Sequence, residues 1–185
     1  MGLKIDGELR TFAWLADHAA EAIDVSIWGL PGVAKLPPLP RVTSLWLCEA
    51  NSLTAIPALP KATVLRIGDC PALTKMPKVL PAAERFRIWN CPRLAALPSL
   101  PAAGEGRMDV WVERCPGLAT NAGSTRGSQF VAVLIRGEWR IAAACHVLMV
   151  DQARRYWREG GGNYKPDCLE LVEKLAVEIE KLTSI

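Results

Sequence analysis

A motif of the form apolar-x-apolar-x-x-(Cys/Ala/Leu)-x-x-apolar begins at Val25, Leu45, Leu65, Phe86 and Val110, at intervals of 20, 20, 21 and 24 residues. A unit this short cannot surround a core of its own. It buries its apolar side chains only by stacking on the next unit, so the pattern predicts a solenoid that works by offering a surface.

Within each unit the first anchors alternate with period two, as in Leu45-Trp46-Leu47 and Leu65-Arg66-Ile67. That spacing suits a short strand with its apolar side chains turned inward, and five of them make a parallel sheet. Three residues after the second anchor stand Leu30, Ala50, Cys70, Cys91 and Cys115, where the chain turns away from the strand. A thiol there serves as a small hydrophobe with a weak donor for loop carbonyls. Val33, Leu53, Leu73, Leu94 and Leu118, then Leu36, Ile56, Met76 and Leu97, fill the remaining core. Prolines after the last group, as in Leu36-Pro37-Pro38-Leu39-Pro40, forbid a long helix and predict an extended return leg.

Residues 65–77, Leu-Arg-Ile-Gly-Asp-Cys-Pro-Ala-Leu-Thr-Lys-Met-Pro, carry a family resemblance that recurs in phase over residues 23–120. This stretch resembles the short bacterial class of leucine-rich repeats. It departs from that class where cysteine or alanine replaces the commoner asparagine, so the turn ladder is expected to use thiols and backbone. The resemblance implies an α/β fold: a curved solenoid with its parallel sheet on the concave side, an extended convex side, and recognition as its job.

Such a stack needs its ends covered. Residues 8–22 read as an N-terminal cap helix with Leu9, Phe12, Ala16 and Ala19 on one face, so 1–22 is assigned to that cap. Residues 121–185 are assigned to a C-terminal cap. There Phe130 to Ile135 and Trp139 to Cys145 read as strands joined by a hairpin at Arg136-Gly137-Glu138, the first extending the repeat sheet. Residues 151–159 form a short helix ended by Gly160-Gly161-Gly162, and Pro166 opens a final helix through Leu182, supported by Glu170 and Lys174. The whole is expected to be one domain. Trp139 to His146, with Gln152-Ala153-Arg154 and Trp157, is similar to the tails of small bacterial and phage proteins; that likeness transfers no activity.

With 22 basic and 19 acidic residues among 185, the formal charge is only +3, so bulk electrostatics single out neither nucleic acid nor membranes. No segment reads as a signal peptide or a membrane span, and a cytoplasmic, monomeric protein is expected. Six cysteines might form a disulfide framework, but Cys70, Cys91 and Cys115 follow the repeat and are expected to stay reduced.

The residues between the anchors should face outward. Ser26, Trp46, Arg66, Arg87 and Trp111 form the middle column, flanked by Trp28, Cys48, Gly68, Trp89 and Glu113 on one side and Asp24, Ser44, Val64, Arg85 and Asp109 on the other. Trp28, Trp46, Arg66, Arg85, Arg87, Trp89 and Trp111 are therefore the candidate partner-binding residues, because exposed Trp and Arg are the types most enriched at binding hot spots. The competing reading has them packing on one another through cross-strand and cation–π contacts.

Catalysis has little sequence support. His18 falls on the cap helix, and Cys145-His146 cannot act as a dyad on a strand because neighbours point to opposite faces. Cys70, Cys91 and Cys115 have a structural use without a metal, and the glycine triplet lacks the context of a phosphate loop. No cofactor is expected. The leading expectation is a non-enzymatic protein-binding module of bacterial or phage origin. The alternative is a binder of single-stranded nucleic acid or a nucleotide on the same face, where Asp24, Asp109 and Glu113 count against a phosphate track.

Overall fold

A computed structural model describes residues 2–100, 109–125, 128–135, 137–143, 146–159 and 166–184. The five expected repeat strands form: β3 (Asp24–Trp28), β4 (Ser44–Cys48), β5 (Val64–Gly68), β6 (Arg85–Trp89) and β7 (Asp109–Glu113). They pair in parallel without slippage, Val25 beside Leu45, Leu65, Phe86 and Val110. Their inward side chains, among them Val25, Ile27, Leu45, Leu47, Leu65, Ile67, Phe86 and Ile88, are buried in one continuous core.

Each strand ends in the same backbone device. Gly29, Glu49, Asp69, Asn90 and Arg114 take positive φ, from 51° to 64°. That left-handed residue turns the chain inward, and at 29, 49, 69 and 90 its N–H donates to the carbonyl of the last residue of the next strand, at 2.9–3.2 Å. The small buried residue follows and begins a turn in which Leu53, Leu73, Leu94 and Leu118 donate back to Ala50, Cys70, Cys91 and Cys115. Pro71, Pro92 and Pro116 occupy the second turn position, whose φ proline presets. The thiols of Cys70, Cys91 and Cys115 donate to the carbonyls of Gly68, Trp89 and Glu113 at 3.1–3.3 Å, the use expected of them.

The return legs are extended, joined by isolated parallel bridges at Lys35, Ala55 and Lys75 and between Val79 and Ser99. A second proline turn, Leu59-Pro60-Lys61-Ala62, sends each leg back to the sheet and recurs at Leu80 to Ala83. Here the sequence reading was incomplete, because Leu39, Leu59, Leu80 and Leu100 are fully core residues. Threonine rungs tie the coils: Thr63 Oγ1 donates to Thr43 O at 3.3 Å, and Thr74 Oγ1 to Thr54 O at 3.1 Å.

The N-terminal segment differs from expectation. Instead of one helix over 8–22, β1 (Gly2–Ile5) and β2 (Glu8–Leu9) form a hairpin, and α1 covers only Phe12–His18. The cause is local: Asp6 and Gly7 both adopt positive φ, as a two-residue Asp-Gly hairpin turn requires. Asp6 Oδ1 also accepts the N–H groups of Ile23 and Asp24 at 3.1 and 2.7 Å. β1 lies antiparallel on β3, giving the order β2-β1-β3-β4-β5-β6-β7. Helix α1 buries Leu15, whereas Leu9 is 69% exposed and Ala16 faces solvent.

The C-terminal strands also depart from expectation. β8 (Asn121–Thr125), β9 (Ser128–Ile135), β10 (Glu138–Ala143) and β11 (His146–Leu148) form a separate antiparallel sheet. β9 does not extend the repeat sheet; it meets the return legs, where Leu100 N–H donates to Leu134 O at 2.8 Å. Alternation on β9 explains the placement. Val131, Val133 and Ile135 enter the solenoid core, while Phe130 and Ala132 face a second core. That core includes Trp157 of α2 (Val150–Arg158) and Leu171, Val172, Leu175 and Ile179 of α3 (Pro166–Thr183). Arg154 and Glu173 clamp the two helices together, with Nε and a terminal guanidinium nitrogen 3.1 and 2.8 Å from the carboxylate.

The last coil is finished by one side chain. Gln129, buried, accepts from Cys115 N–H through Oε1 and donates to Cys115 O through Nε2, both at 2.9 Å.

Candidate functional site

The in-register strands set Ser26, Trp46, Arg66, Arg87 and Trp111 side by side across the outer face of the sheet. Residues two positions apart on a strand share a face, so Trp28, Trp89 and Arg85 lie on it as well. All seven residues expected from the sequence are thus on one face. Their environments divide them.

Trp28 and Trp89 are held against the backbone of a neighbouring strand. Trp89 lies over Gly68 and Trp28 over Gly2, so close that a Cβ on either glycine would overlap the ring. Trp89 is fixed further by its Nε1–H donating to Asp69 Oδ2 at 3.2 Å. Asp69 is a hub, also accepting from Asn90 Nδ2 at 2.6 Å and from the Cys48 thiol at 3.5 Å. The Asn90 hydrogen bond, with those from Cys48 and Trp89, holds the Asp69 carboxyl below the usual carboxylate range. Burial, and then Asp69, pushes the Cys48 thiol up to about 11.

Arg85 and Arg87 share a counter-ion. Arg87 engages Asp109 Oδ2 through Nε at 3.0 Å and a terminal nitrogen at 2.5 Å, and Arg85 Nε lies 3.5 Å from the same oxygen. Arg66 has no ion pair among the described residues, and its Nε is buried without a hydrogen-bond partner. Trp46 is 49% exposed, Trp111 37% and Trp28, despite its contact with Gly2, 36%. The Trp111 indole N–H reaches Glu113 Oε2 at 3.3 Å, and Glu113 also pairs with Arg114 at 3.4 Å.

Among the described residues, no tryptophan on this face stacks on another or under one of its arginines; the cation–π contact present sets Arg10 over Trp14, on α1, at 4.7 Å. Trp28 and Trp89 make their cross-strand contacts with glycine backbone instead. Gly68 and Asp69 were visible in the sequence as a small residue and a left-handed-tolerant one after a strand. Nothing in one strand alone announces that an indole from the next will cover them.

The chain matches no family model, no curated protein and no solved structure.

Elsewhere, His18 Nδ1 is 3.0 Å from Trp14 O and its ring stacks on Trp14 at 4.2 Å. His146 packs on Tyr156, ring centroids 4.7 Å apart. Cys145, Arg136 and the glycine triplet at 160–162 lie outside the described residues. Among the described residues no group of three His, Cys, Asp or Glu side chains is placed to hold a metal ion. No described helix is long and apolar enough to cross a membrane.

Proposed function

We propose that this chain is a non-enzymatic recognition module that binds a protein partner on the outer face of its repeat sheet. The supporting observation is that Trp46 and Trp111, two of the three tryptophans exposed on this face, stand on paired strands on either side of Arg66 and Arg87. Exposed indoles carry a desolvation penalty, and Trp and Arg concentrate binding energy when a partner covers them. Neither tryptophan is buried by its own fold, so neither is explained by stability alone.

The finer reading follows the same line. A 20-residue coil with one strand, two turns and an extended return leg fits the short bacterial leucine-rich repeat, the sheet being its concave side, in a bacterial or phage protein. Hydrogen-bonded thiols rather than disulfides in the turn ladder fit a reducing, cytoplasmic setting. The nucleic-acid alternative loses support because Trp89 is pinned on Gly68 and Asp69, and Asp109 already occupies Arg85 and Arg87.

The test is affinity capture from lysate of the source cells with wild type and a Trp46→Ala/Trp111→Ala variant. Both side chains are only partly exposed, so the variant is checked for native circular dichroism before it is used. A protein retained by wild type and lost by the folded variant supports the reading; identical captures sink it.

A further inference from the structure

Resting on the proposed interaction face, we infer that its partner presents a carboxylate side chain, from Asp or Glu, that docks on Arg66 between Trp46 and Trp111.

Arg66 is the central cation of the sheet. Its strand β5 is paired on both sides, Trp46 beside it on β4 and Arg87 on β6. Its Nε is withdrawn from solvent and meets no acceptor, so a partner can engage only the terminal guanidinium nitrogens, and no acid among the described residues pairs with them. The nearby acids are already engaged. Asp69 accepts from Asn90, Trp89 and Cys48, Asp109 serves Arg85 and Arg87, and Glu113 serves Trp111 and Arg114. Asp24 stands two strands away and two residues back, about 12 Å by strand and residue spacing. Of the three arginines on the face, Arg85 and Arg87 share Asp109, and the positive charge left without a counter-ion among the described residues is that of Arg66.

A carboxylate suits this surplus better than a phosphate. Guanidinium receives either group through two parallel N–H donors, but a carboxylate carries one charge and so matches the single uncompensated charge of Arg66. A doubly charged phosphate at Arg66 would lie about 12 Å from both Asp109 and Asp24 by strand and residue spacing, with Asp69 three residues further along the chain. The indoles supply the rest of the address. Trp46 and Trp111 are three strands apart, about 14 Å, which an extended peptide spans in about four residues. The recognised segment should thus carry an acidic residue between two apolar residues about four positions apart.

The probe is a library of random 12-residue peptides displayed on phage and selected on the full chain, with the fluorescent oligonucleotide dT12 as a second ligand. Selected peptides are then synthesised and titrated against wild type, Arg66→Gln, Arg66→Met and Trp46→Ala, each checked for native circular dichroism. Two Arg66 variants are used so that a misfolded one does not end the test. The expected result is enrichment of Asp or Glu between apolar residues, with binding weakened at least tenfold by loss of Arg66 and also by replacing the peptide acid with its amide. Peptides that depend on Trp46 yet lack an acid, or bind the Arg66 variants unchanged, overturn the carboxylate and leave the interaction face standing. Peptides indifferent to Trp46, or no enrichment, overturn both. Arg66-dependent binding of dT12 with a steep salt dependence also overturns the inference, in favour of nucleic acid.

Discussion

The indole of Trp89 covers the backbone of Gly68 on the adjacent strand, filling the space where any other residue would place its Cβ. Gly68→Ala must displace the ring and pull it from Asp69. Overpacking of this kind costs about 1–3 kcal/mol. Urea denaturation should show that loss in wild type and much less of it in a Trp89→Leu background, the coupling expected of two residues in contact. Equal costs in both backgrounds would mean the ring is not what excludes the methyl group.

Acid should weaken the Asp69 hub. Hydrogen bonding, chiefly from Asn90, lowers its carboxyl in the folded protein. The stabilisation it brings is therefore complete above the ordinary carboxylate range and is lost as pH falls through the lowered folded value. Asp69→Asn should cost about 1 kcal/mol at pH 6, the usual scale of such hydrogen bonds. The gap from wild type should narrow as pH falls below the ordinary carboxylate range; a gap independent of pH would show that the charge is immaterial.

Cys48 is partly exposed yet should react slowly. Burial and the Asp69 carboxylate keep its thiol protonated to about 11. Iodoacetamide at pH 8, read by peptide mass spectrometry, should label it slowly and label Cys70, Cys91 and Cys115 only after urea unfolding. Asp69→Asn should shift the rise in Cys48 labelling to lower pH. Fast labelling of native Cys48 at pH 8 would contradict this arrangement.

Gln129 closes the last coil through two hydrogen bonds to one buried residue, Cys115. Gln129→Ala leaves a backbone N–H and one acceptor site without their side-chain partner. Chemical denaturation should register about 1–3 kcal/mol. Gln129→Glu keeps only the acceptor and adds a charge at a buried position, so it should be worse than Gln129→Ala. A neutral result for either would deny the amide its closing role.

The repeat strands, their register and the extended legs were legible because each is dictated locally and then repeated: an error in one coil would conflict with four others. The ends have no such redundancy. The Asp6-Gly7 turn signal was present between Ile5 and Glu8, but the helical spacing of Leu9 to Ala19 masked the hairpin. β8, Asn121-Ala122-Gly123-Ser124-Thr125, has no apolar alternation because it is an edge strand, paired only with β9. On the candidate face, the columns of Trp and Arg could be read directly. The division of labour within them could not, since the pinning of Trp89, the sharing of Asp109 and the isolation of Arg66 each depend on a side chain from a different strand.

Among the described residues, Thr43, Thr63 and the residues between them hydrogen-bond within their own coil and to the coil before and the coil after. The molecule is accordingly measured out rather than enclosed: duplicating residues 44–63 would lengthen its repeat sheet by one rung, about 4.8 Å, and leave both ends as they are. Its reach is a number that evolution or a protein engineer can change by counting.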